Sequence, residues 1–148
     1  MSKTGCDAFI DVHGDEEVTY VFLDGDEGIQ SFGPKISKLE DIFRKSLLAN
    51  TSPDFQATDF YGVTKPGEAE MGIAANAIGE RFHCFSVTLE MPFKDAARHP
   101  DRLHGWTAGR SMQYGRNCIA PLLDVVNHIV VDDTQPDLHD RKRKKKAG

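Results

Sequence analysis

Cysteine is scarce in this sequence of 148 residues, which contains only Cys6, Cys84 and Cys118. An odd number without paired spacing argues against a disulfide framework or a cysteine-rich zinc site, and it favours reduced thiols in a cytoplasmic protein. Long apolar runs are missing as well: no stretch approaches the ~20 residues that span a bilayer, and residues 1–6 contain no apolar signal core. We therefore expect a cytoplasmic protein that has no membrane partner.

Positive charge is also scarce outside one short segment. Six of the 18 Lys and Arg residues are consecutive, from Arg141 to Lys146, which leaves 12 against 23 Asp and Glu and a net charge of −11 for the rest of the chain. An acidic body of this kind is not expected to bind nucleic acid. The contrast divides the sequence into a folded domain, residues 1–132, and a disordered basic tail, residues 133–148.

Apolar periodicity predicts the elements of the folded domain. Alternation with β-branched residues is typical of strands, and apolar residues three and four apart are typical of helices. The predicted strands cover residues 7–12, 19–23 and 82–89, and the predicted helices follow Ser37, cover about 68–81, and follow Thr107. This order predicts an α/β domain with a mixed, mostly parallel sheet that is flanked by helices.

Local signals define the predicted helices more closely. Ser37 and Glu40 form a capping-box pattern, and Thr107 can cap the last helix. Within the last helix, Pro121 predicts a kink or a break, because proline removes a backbone donor. The inner face of that helix is predicted to carry Met112, Gly115, Ile119, Leu122, Val126 and Ile129.

Two polar residues stand at the ends of predicted core strands. His13 follows the first strand, with Gly14 permitting a turn, and Glu90 ends the third strand before Pro92. Because ligands gather at the carboxyl ends of parallel strands in α/β sheets, both side chains are expected to open into one crevice. A solvated glutamate at a strand end is the alternative to a general base at position 90.

This pair has the chemistry of a metal-dependent hydrolase. Zinc is bound by neutral imidazole, lowers the pKa of a bound water, and polarises a carbonyl. A nearby carboxylate can take the proton of that water and pass it to a leaving amine. His13 is therefore a candidate zinc ligand and Glu90 a candidate general base. The carboxylates of Asp15, Glu16 and Glu17 are available to orient the imidazole.

Two segments carry a family resemblance. Residues 11–16, Asp-Val-His-Gly-Asp-Glu, and residues 88–95, Thr-Leu-Glu-Met-Pro-Phe-Lys-Asp, together resemble the zinc carboxypeptidase family in its cytosolic, deglutamylase-like branch. The loop His104-Gly-Trp106 and the closing helix are similar to that branch too. The resemblance covers about residues 7–130.

The resemblance implies a role for three residues. His13 would be the last of three zinc ligands, and Glu90 would be the general base that activates a zinc-bound water. Tyr61, within Phe60-Tyr-Gly62, would contact the substrate. The family's first two zinc ligands, in a His-x-x-Glu motif, have no counterpart before His13, because only twelve residues precede it.

Other family residues are missing in the same way. An Asn-Arg pair for the substrate's terminal carboxylate and an Arg for the oxyanion do not precede His13. His13 and Glu16 have the His-x-x-Glu spacing, but the strand before His13 and its distance to Glu90 fit the last-ligand role better. We therefore interpret the chain as the C-terminal half of such a catalytic domain, and we expect weak zinc binding and little hydrolysis.

The resulting hypothesis is a fragment of a zinc metallocarboxypeptidase that removes C-terminal residues, among them glutamate, from peptides or proteins. Lys94, Arg98 and Arg102 could provide cations for an acidic substrate. The expected partners are a peptide or protein C-terminus and either a missing N-terminal half or another copy bound through an exposed sheet face.

Two alternatives remain open at this point. A truncated, non-catalytic relative could serve as a small interaction module. His13 and Glu16 could instead form a self-contained metal site with a later histidine, which would be His83, His99 or His104.

Overall fold

A computed structural model describes residues 1, 3–51 and 62–129 of the chain. Tyr61 and the basic segment 133–148 lie outside the described residues, so their predicted roles stay predictions. The strands are β1 (Ala8–Asp15), β2 (Phe22–Asp24) and β3 (Phe85–Pro92). The helices are α1 (Pro34–Asn50), α2 (Ala74–Phe82), α3 (Ala108–Asn117) and α4 (Ile119–Val126). No helix within the described ranges is long and apolar enough to cross a membrane.

The three strands form one sheet in the order β1-β3-β2. β3 pairs with β1 in the parallel sense and with β2 in the antiparallel sense. Parallel neighbours need a crossover connection, and the chain between β1 and β3 contains β2, α1 and α2. The predicted layout, a small mixed sheet flanked by helices, is confirmed.

The core is built around β3, whose first six residues are all buried. α1 and α2 both contact this strand, and the rings of Phe43 and Phe85 pack with their centroids 5.2 Å apart. Full burial of such a side chain stabilises the fold by about 1.5–3 kcal/mol. A central strand held in this way gives Glu90 a fixed position on a rigid element.

The start of α1 differs from the prediction. The helix begins at Pro34 with Gly33 as its N-cap, because the fixed φ of proline suits the first helical turn. The N–H of Ser37 donates to the carbonyl of Gly33 at 3.0 Å, so Ser37 lies inside the helix and the predicted capping box is wrong. Glu40 instead accepts a hydrogen bond from Arg44 at 2.6 Å.

Other element bounds are confirmed only in part. α2 begins at Ala74 rather than near residue 68, and β3 begins and ends three residues later than predicted. Thr107 does cap α3, since its side chain accepts a backbone N–H of that helix. The predicted break is also present: α3 ends before Cys118, and Pro121 lies in the first turn of α4.

The predicted inner face of the last helix is confirmed only in part, since Leu122 and Ile129 pack against the core as expected. The residues expected inside but found at least half exposed are Met112, Ile119 and Val126. Tyr114 and Cys118 are buried instead. Tyr114 faces inward because its ring packs on Trp106, with the two ring centroids 5.6 Å apart.

Candidate active site

His13 and Glu90 are directly opposite each other on the parallel strands β1 and β3. The Nδ1 atom of His13 lies 3.5 Å from the Oε1 atom of Glu90. Parallel pairing explains the contact, because residues in register on adjacent parallel strands project from the same face of a sheet. The prediction that these two side chains meet in space is confirmed, although their chemical roles stay predictions.

Glu90 was expected to end its strand, but β3 continues to Pro92. The side chain is buried, with a relative exposure of 7% for the residue. Its Oε2 atom has no hydrogen-bond partner among the described residues. Burial raises the pKa of Glu90, while the nearby His13 imidazole opposes this effect by stabilising the carboxylate. Glu90 is therefore a desolvated carboxyl group rather than a solvated residue at a strand end.

Asp11 is a residue that the sequence reasoning missed. Its Oδ2 atom lies 3.2 Å from the Nε2 atom of His13, whose side chain is half exposed. Residues two apart on a strand share a face, so the spacing from 11 to 13 was the signal that could have identified it. Asp15, which was expected to orient the imidazole, instead accepts hydrogen bonds from the backbone of Glu17 and Val18 at 2.7 and 2.8 Å.

A cavity of about 520 Å³ opens beside this pair. Its buried part is formed by Asn76, Thr88 and Glu90, and its outer part comes from loops before α1 and α2. Gly62, which follows the undescribed Tyr61, also lines it. The predicted crevice is thus present at the end of β1 that carries His13.

The loop after β3 is held in place by Arg110, which the sequence reasoning also missed. The guanidinium donates to Asp95 at 2.8 Å and to the carbonyl of His99 at 2.6 Å, and it lies 4.6 Å above the ring of Trp106. The backbone N–H of Trp106 donates to the backbone carbonyl of Lys94 at 2.6 Å. These contacts fix the chain that leaves the carboxyl end of β3.

The residues near His13 fit only part of a metal site. A catalytic zinc takes three protein ligands and keeps one position for water. His13 offers an imidazole with one nitrogen near Asp11 and the other near Glu90. Within residues 1, 3–51 and 62–129, however, no group of three His, Cys, Asp or Glu side chains could hold a metal ion. His13 could be one ligand, and the others would have to come from outside the described residues.

The self-contained metal site considered above finds no support in these contacts. His104 pairs with Asp101 at 3.2 Å, and His83 is the left-handed C-cap of α2, with φ 52°. Neither of these histidines, nor His99, lines the cavity that contains His13.

The fold is similar to that of solved metallo-carboxypeptidases. A metallo-carboxypeptidase from Pseudomonas aeruginosa, solved with (2-guanidinoethylmercapto)succinic acid, is 36% identical, with a TM-score of 0.82 over 87% of this chain and 34% of its own. One from Burkholderia cenocepacia is 40% identical, with a TM-score of 0.78 over 85% of this chain and 33% of its own. The chain therefore has a carboxypeptidase-like fold and spans about a third of the length of these proteins.

A curated relative matches a similar share of this chain, but its name states no activity. An uncharacterized protein of Zymomonas mobilis is 42% identical over 134 residues, which are 88% of this chain and 34% of the relative. No protein-family model matches the chain. The cytosolic, deglutamylase-like branch stays a prediction from the sequence motifs.

Proposed function

We propose that this chain is the C-terminal part of a zinc metallocarboxypeptidase that releases C-terminal residues from peptides or proteins. The observation that carries the proposal is the contact between His13 and Glu90, 3.5 Å apart beside an open cavity. The similarity to metallo-carboxypeptidases, which extends over about a third of their length, supports the same assignment.

Glu90 acts in this proposal as the general base. A buried carboxylate with one oxygen free of protein hydrogen bonds can accept a proton from an attacking water and pass it to the leaving amine. Burial raises its pKa, which makes it a stronger base than a solvated glutamate once it is ionised. Asp11 positions the His13 ring through the Nε2 contact.

Zinc is the metal proposed for His13, because neutral imidazole is among its preferred ligands. When bound, zinc would supply Lewis-acid polarisation of the peptide carbonyl and acidify the attacking water. In this proposal, two further protein ligands come from the N-terminal remainder of the catalytic domain.

The proposed partner besides the substrate is the remainder of the catalytic domain. Among the described residues, β1 is an edge strand of the sheet, and its Val12 side chain is 55% exposed. An unpaired edge of this length is a template for another strand. A missing N-terminal portion would cover it, and a second copy of the chain is the alternative occupant.

Glutamate at the cleaved position stays a prediction from the family resemblance. It would require cations near the cavity, and Lys94, Arg98 and Arg102 are all exposed residues that do not line it. The cytoplasmic location is likewise proposed from the sequence alone.

A small, non-catalytic interaction module is the second candidate. It is favoured by the incomplete ligand set, since no three metal-binding side chains converge within the described residues. Under this hypothesis, the exposed edge of β1 would bind a partner and the cavity would be a remnant.

The deciding experiment measures zinc-dependent release of C-terminal residues. The chain is assayed alone and mixed with the complementary N-terminal two-thirds of a relative. We expect release by the mixture, and a loss of about 10²–10⁴-fold in Glu90→Gln. Asp41→Asn, an exposed carboxylate on α1, is the matched control and should leave the rate unchanged. Absence of release from a mixture that binds zinc would favour the interaction module.

A further inference from the structure

Cys6 and Cys84 lie near each other at the edge of the sheet where β1 and β3 begin. Cys6 stands two residues before β1, and Cys84 stands directly before β3. Ala8 and Phe85, the first residues of these strands, are paired with each other in the parallel register. Parallel strands that start in register start at the same edge of a sheet. Two cysteines that are distant along the chain are therefore brought to one place.

The thiol groups of these two cysteines are within interaction range of each other. The Cys6 side chain folds back along its own strand, since its thiol donates a weak hydrogen bond to the carbonyl of Ala8 at 3.4 Å. The Cys84 thiol donates to the carbonyl of Ile78 in α2 at 3.9 Å. Burial raises the pKa of Cys84 to about 12, and the neighbouring Cys6 thiol is the next cause of this rise. Such an influence of one thiol on the other requires close approach of the two side chains.

The two thiols differ in their access to solvent. Cys6 is partly exposed, whereas Cys84 is buried, with a relative exposure of 5%. A small oxidant in solution therefore reaches the Cys6 sulfur first. The Cys84 sulfur is shielded from the oxidant and adjoins the group that the oxidant modifies. An accessible thiol next to a second, resolving thiol is the arrangement found in cysteines that respond to oxidants.

Cys118 is the internal comparison for this pair. It lies between α3 and α4 and is 8% exposed. Burial alone raises its pKa to about 11, with no contribution from a second thiol of the described residues. A buried thiol in these surroundings is inert. The features that favour oxidation are thus specific to Cys6 and Cys84.

We propose that Cys6 and Cys84 form an oxidation site, at which a hydroperoxide converts the two thiols into a disulfide that joins the start of β1 to β3. In the first step, the Cys6 sulfur attacks the peroxide. An S–O bond forms, the O–O bond breaks, and the displaced oxygen takes the thiol proton and leaves as an alcohol or water. Cys6 is then a sulfenic acid.

The second step takes place between the two side chains. The Cys84 sulfur attacks the sulfur of the Cys6 sulfenic acid, so that an S–S bond forms and the S–O bond breaks. The displaced hydroxide takes the Cys84 proton and leaves as water. The two sulfurs lose two electrons in total, and these electrons reduce the peroxide. Exchange with an external dithiol reverses the reaction and restores both thiols.

The oxidation site is independent of the proposed peptidase function. His13 and Glu90 are paired five residues further along the strands than Ala8 and Phe85. At ~3.3 Å per residue, the two places are about 16 Å apart. Reduced thiols remain the resting state, as the sequence predicts, and the disulfide forms only when an oxidant is present. Failure of either proposal leaves the other intact.

The test identifies the oxidised residues in the full chain. The reduced protein is treated with hydrogen peroxide, the remaining thiols are blocked with N-ethylmaleimide in denaturant, and the tryptic peptides are analysed by mass spectrometry. We expect the number of blocked thiols to fall from three to one. The tryptic peptides 4–35 and 82–94 should be joined by a disulfide, Cys118 should be blocked, and dithiothreitol should restore all three thiols.

Other products of the same treatment would overturn the proposal. They are a disulfide to Cys118, a disulfide between two chains, and Cys6 oxidised to a sulfinic acid without a link to Cys84. Three thiols that remain unmodified would overturn it as well.

Matched variants assign the order of the two steps. In Cys84→Ala, the Cys6 sulfenic acid has no resolving thiol, so labelling by dimedone should be at least about fivefold stronger than in the wild type. In Cys6→Ser, a change at a partly exposed position outside the strands, Cys84 should still be blocked by N-ethylmaleimide after the same treatment. Cys118→Ala is the control and should form the joined peptides as the wild type does. Equal dimedone labelling of the wild type and Cys84→Ala, oxidation of Cys84 in Cys6→Ser, or loss of the joined peptides in Cys118→Ala would contradict the proposed site.

Discussion

Glu90 and Asp26 are two buried carboxylates in the same small domain, and they differ in what surrounds them. Asp26 is 1% exposed, and neither of its carboxylate oxygens has a hydrogen-bond partner among the described residues. Burial, followed by the nearby charge of Glu40, raises the pKa of Asp26 to about 8. Glu90 is buried to a similar degree, but an imidazole lies 3.5 Å away and a cavity opens beside it.

This difference indicates that burial alone would not suit a carboxylate to the general-base role proposed for Glu90. Asp26 is enclosed near Gly79, and it does not line the cavity that contains Glu90. A carboxyl group with a pKa of about 8 holds its proton at neutral pH, so it is a poor proton acceptor there. Glu90 has both an adjoining open cavity and a partner that favours its ionised form.

The largest expected effect is the contribution of Asp26 to the pH dependence of stability. Because its pKa is raised from 3.8 to about 8 in the folded state, the folded protein binds a proton that the unfolded chain releases between these values. The contribution of this group to stability is therefore complete below the lower value and is lost as the pH rises towards 8. In Asp26→Asn, the free energy of unfolding should fall less between about pH 5 and pH 8, by up to about 4 kcal/mol.

Denaturant unfolding at several pH values checks this expectation. Asp41→Asn changes an exposed carboxylate on α1 and should follow the wild-type pH profile. If Asp26→Asn and the wild type lost the same stability over this range, the buried, protonated state of Asp26 would be refuted.

A smaller effect is expected from the glycine that faces Asp26. A Cβ at Gly79 would overlap the Asp26 carboxylate and would lie 3.2 Å from Ile29 and from Ser86. Gly79→Ala should therefore destabilise the fold by about 1–3 kcal/mol. Gly115→Ala, in α3 with no atom within 4 Å of the new methyl group, should stabilise it by about 0.5–1 kcal/mol. Thermal or denaturant unfolding of both variants measures the contrast, which equal effects would contradict.

The smallest effect is expected beside the His13–Glu90 pair, at Gly14. The three atoms nearest to a Cβ there belong to the ring of Phe93, a residue that is 62% exposed and can rotate away. Gly14→Ala should cost less than about 1 kcal/mol of stability, in contrast to Gly79→Ala. The same unfolding experiment could show a loss of stability from Gly14→Ala as large as that from Gly79→Ala. The surroundings of Gly14 would then be as tightly enclosed as the region around Asp26, contrary to this expectation.

The proximity of His13 and Glu90 could be predicted from the sequence because strand pairing follows simple rules. A parallel arrangement of the first and last strands was enough to bring His13 and Glu90 together, although they are distant along the chain. The α/β layout followed from the same apolar periodicity. The Thr107 cap and the break near Pro121 were also predictable, because each depends on local backbone chemistry.

The surroundings of the pair could not be predicted in the same way. Much of the cavity lining comes from loops such as residues 25–28 and 62–70, whose path is set by tertiary packing rather than by periodicity. Asp26 looks like a turn residue in the sequence, yet it is buried, with its carboxylate beside Gly79 of α2. The inward turn of Tyr114 likewise depends on Trp106, which precedes it on a loop.

The most direct measurement is a zinc competition titration of the chain combined with the complementary N-terminal part of a relative. In the proposed function, His13 binds the metal and Glu90 transfers the proton. His13→Ala should therefore lower the zinc affinity by about a hundredfold or more, and Glu90→Gln should leave it nearly unchanged. Equal zinc affinity in the wild type and His13→Ala, or an equally large loss in Glu90→Gln, would contradict this division of roles.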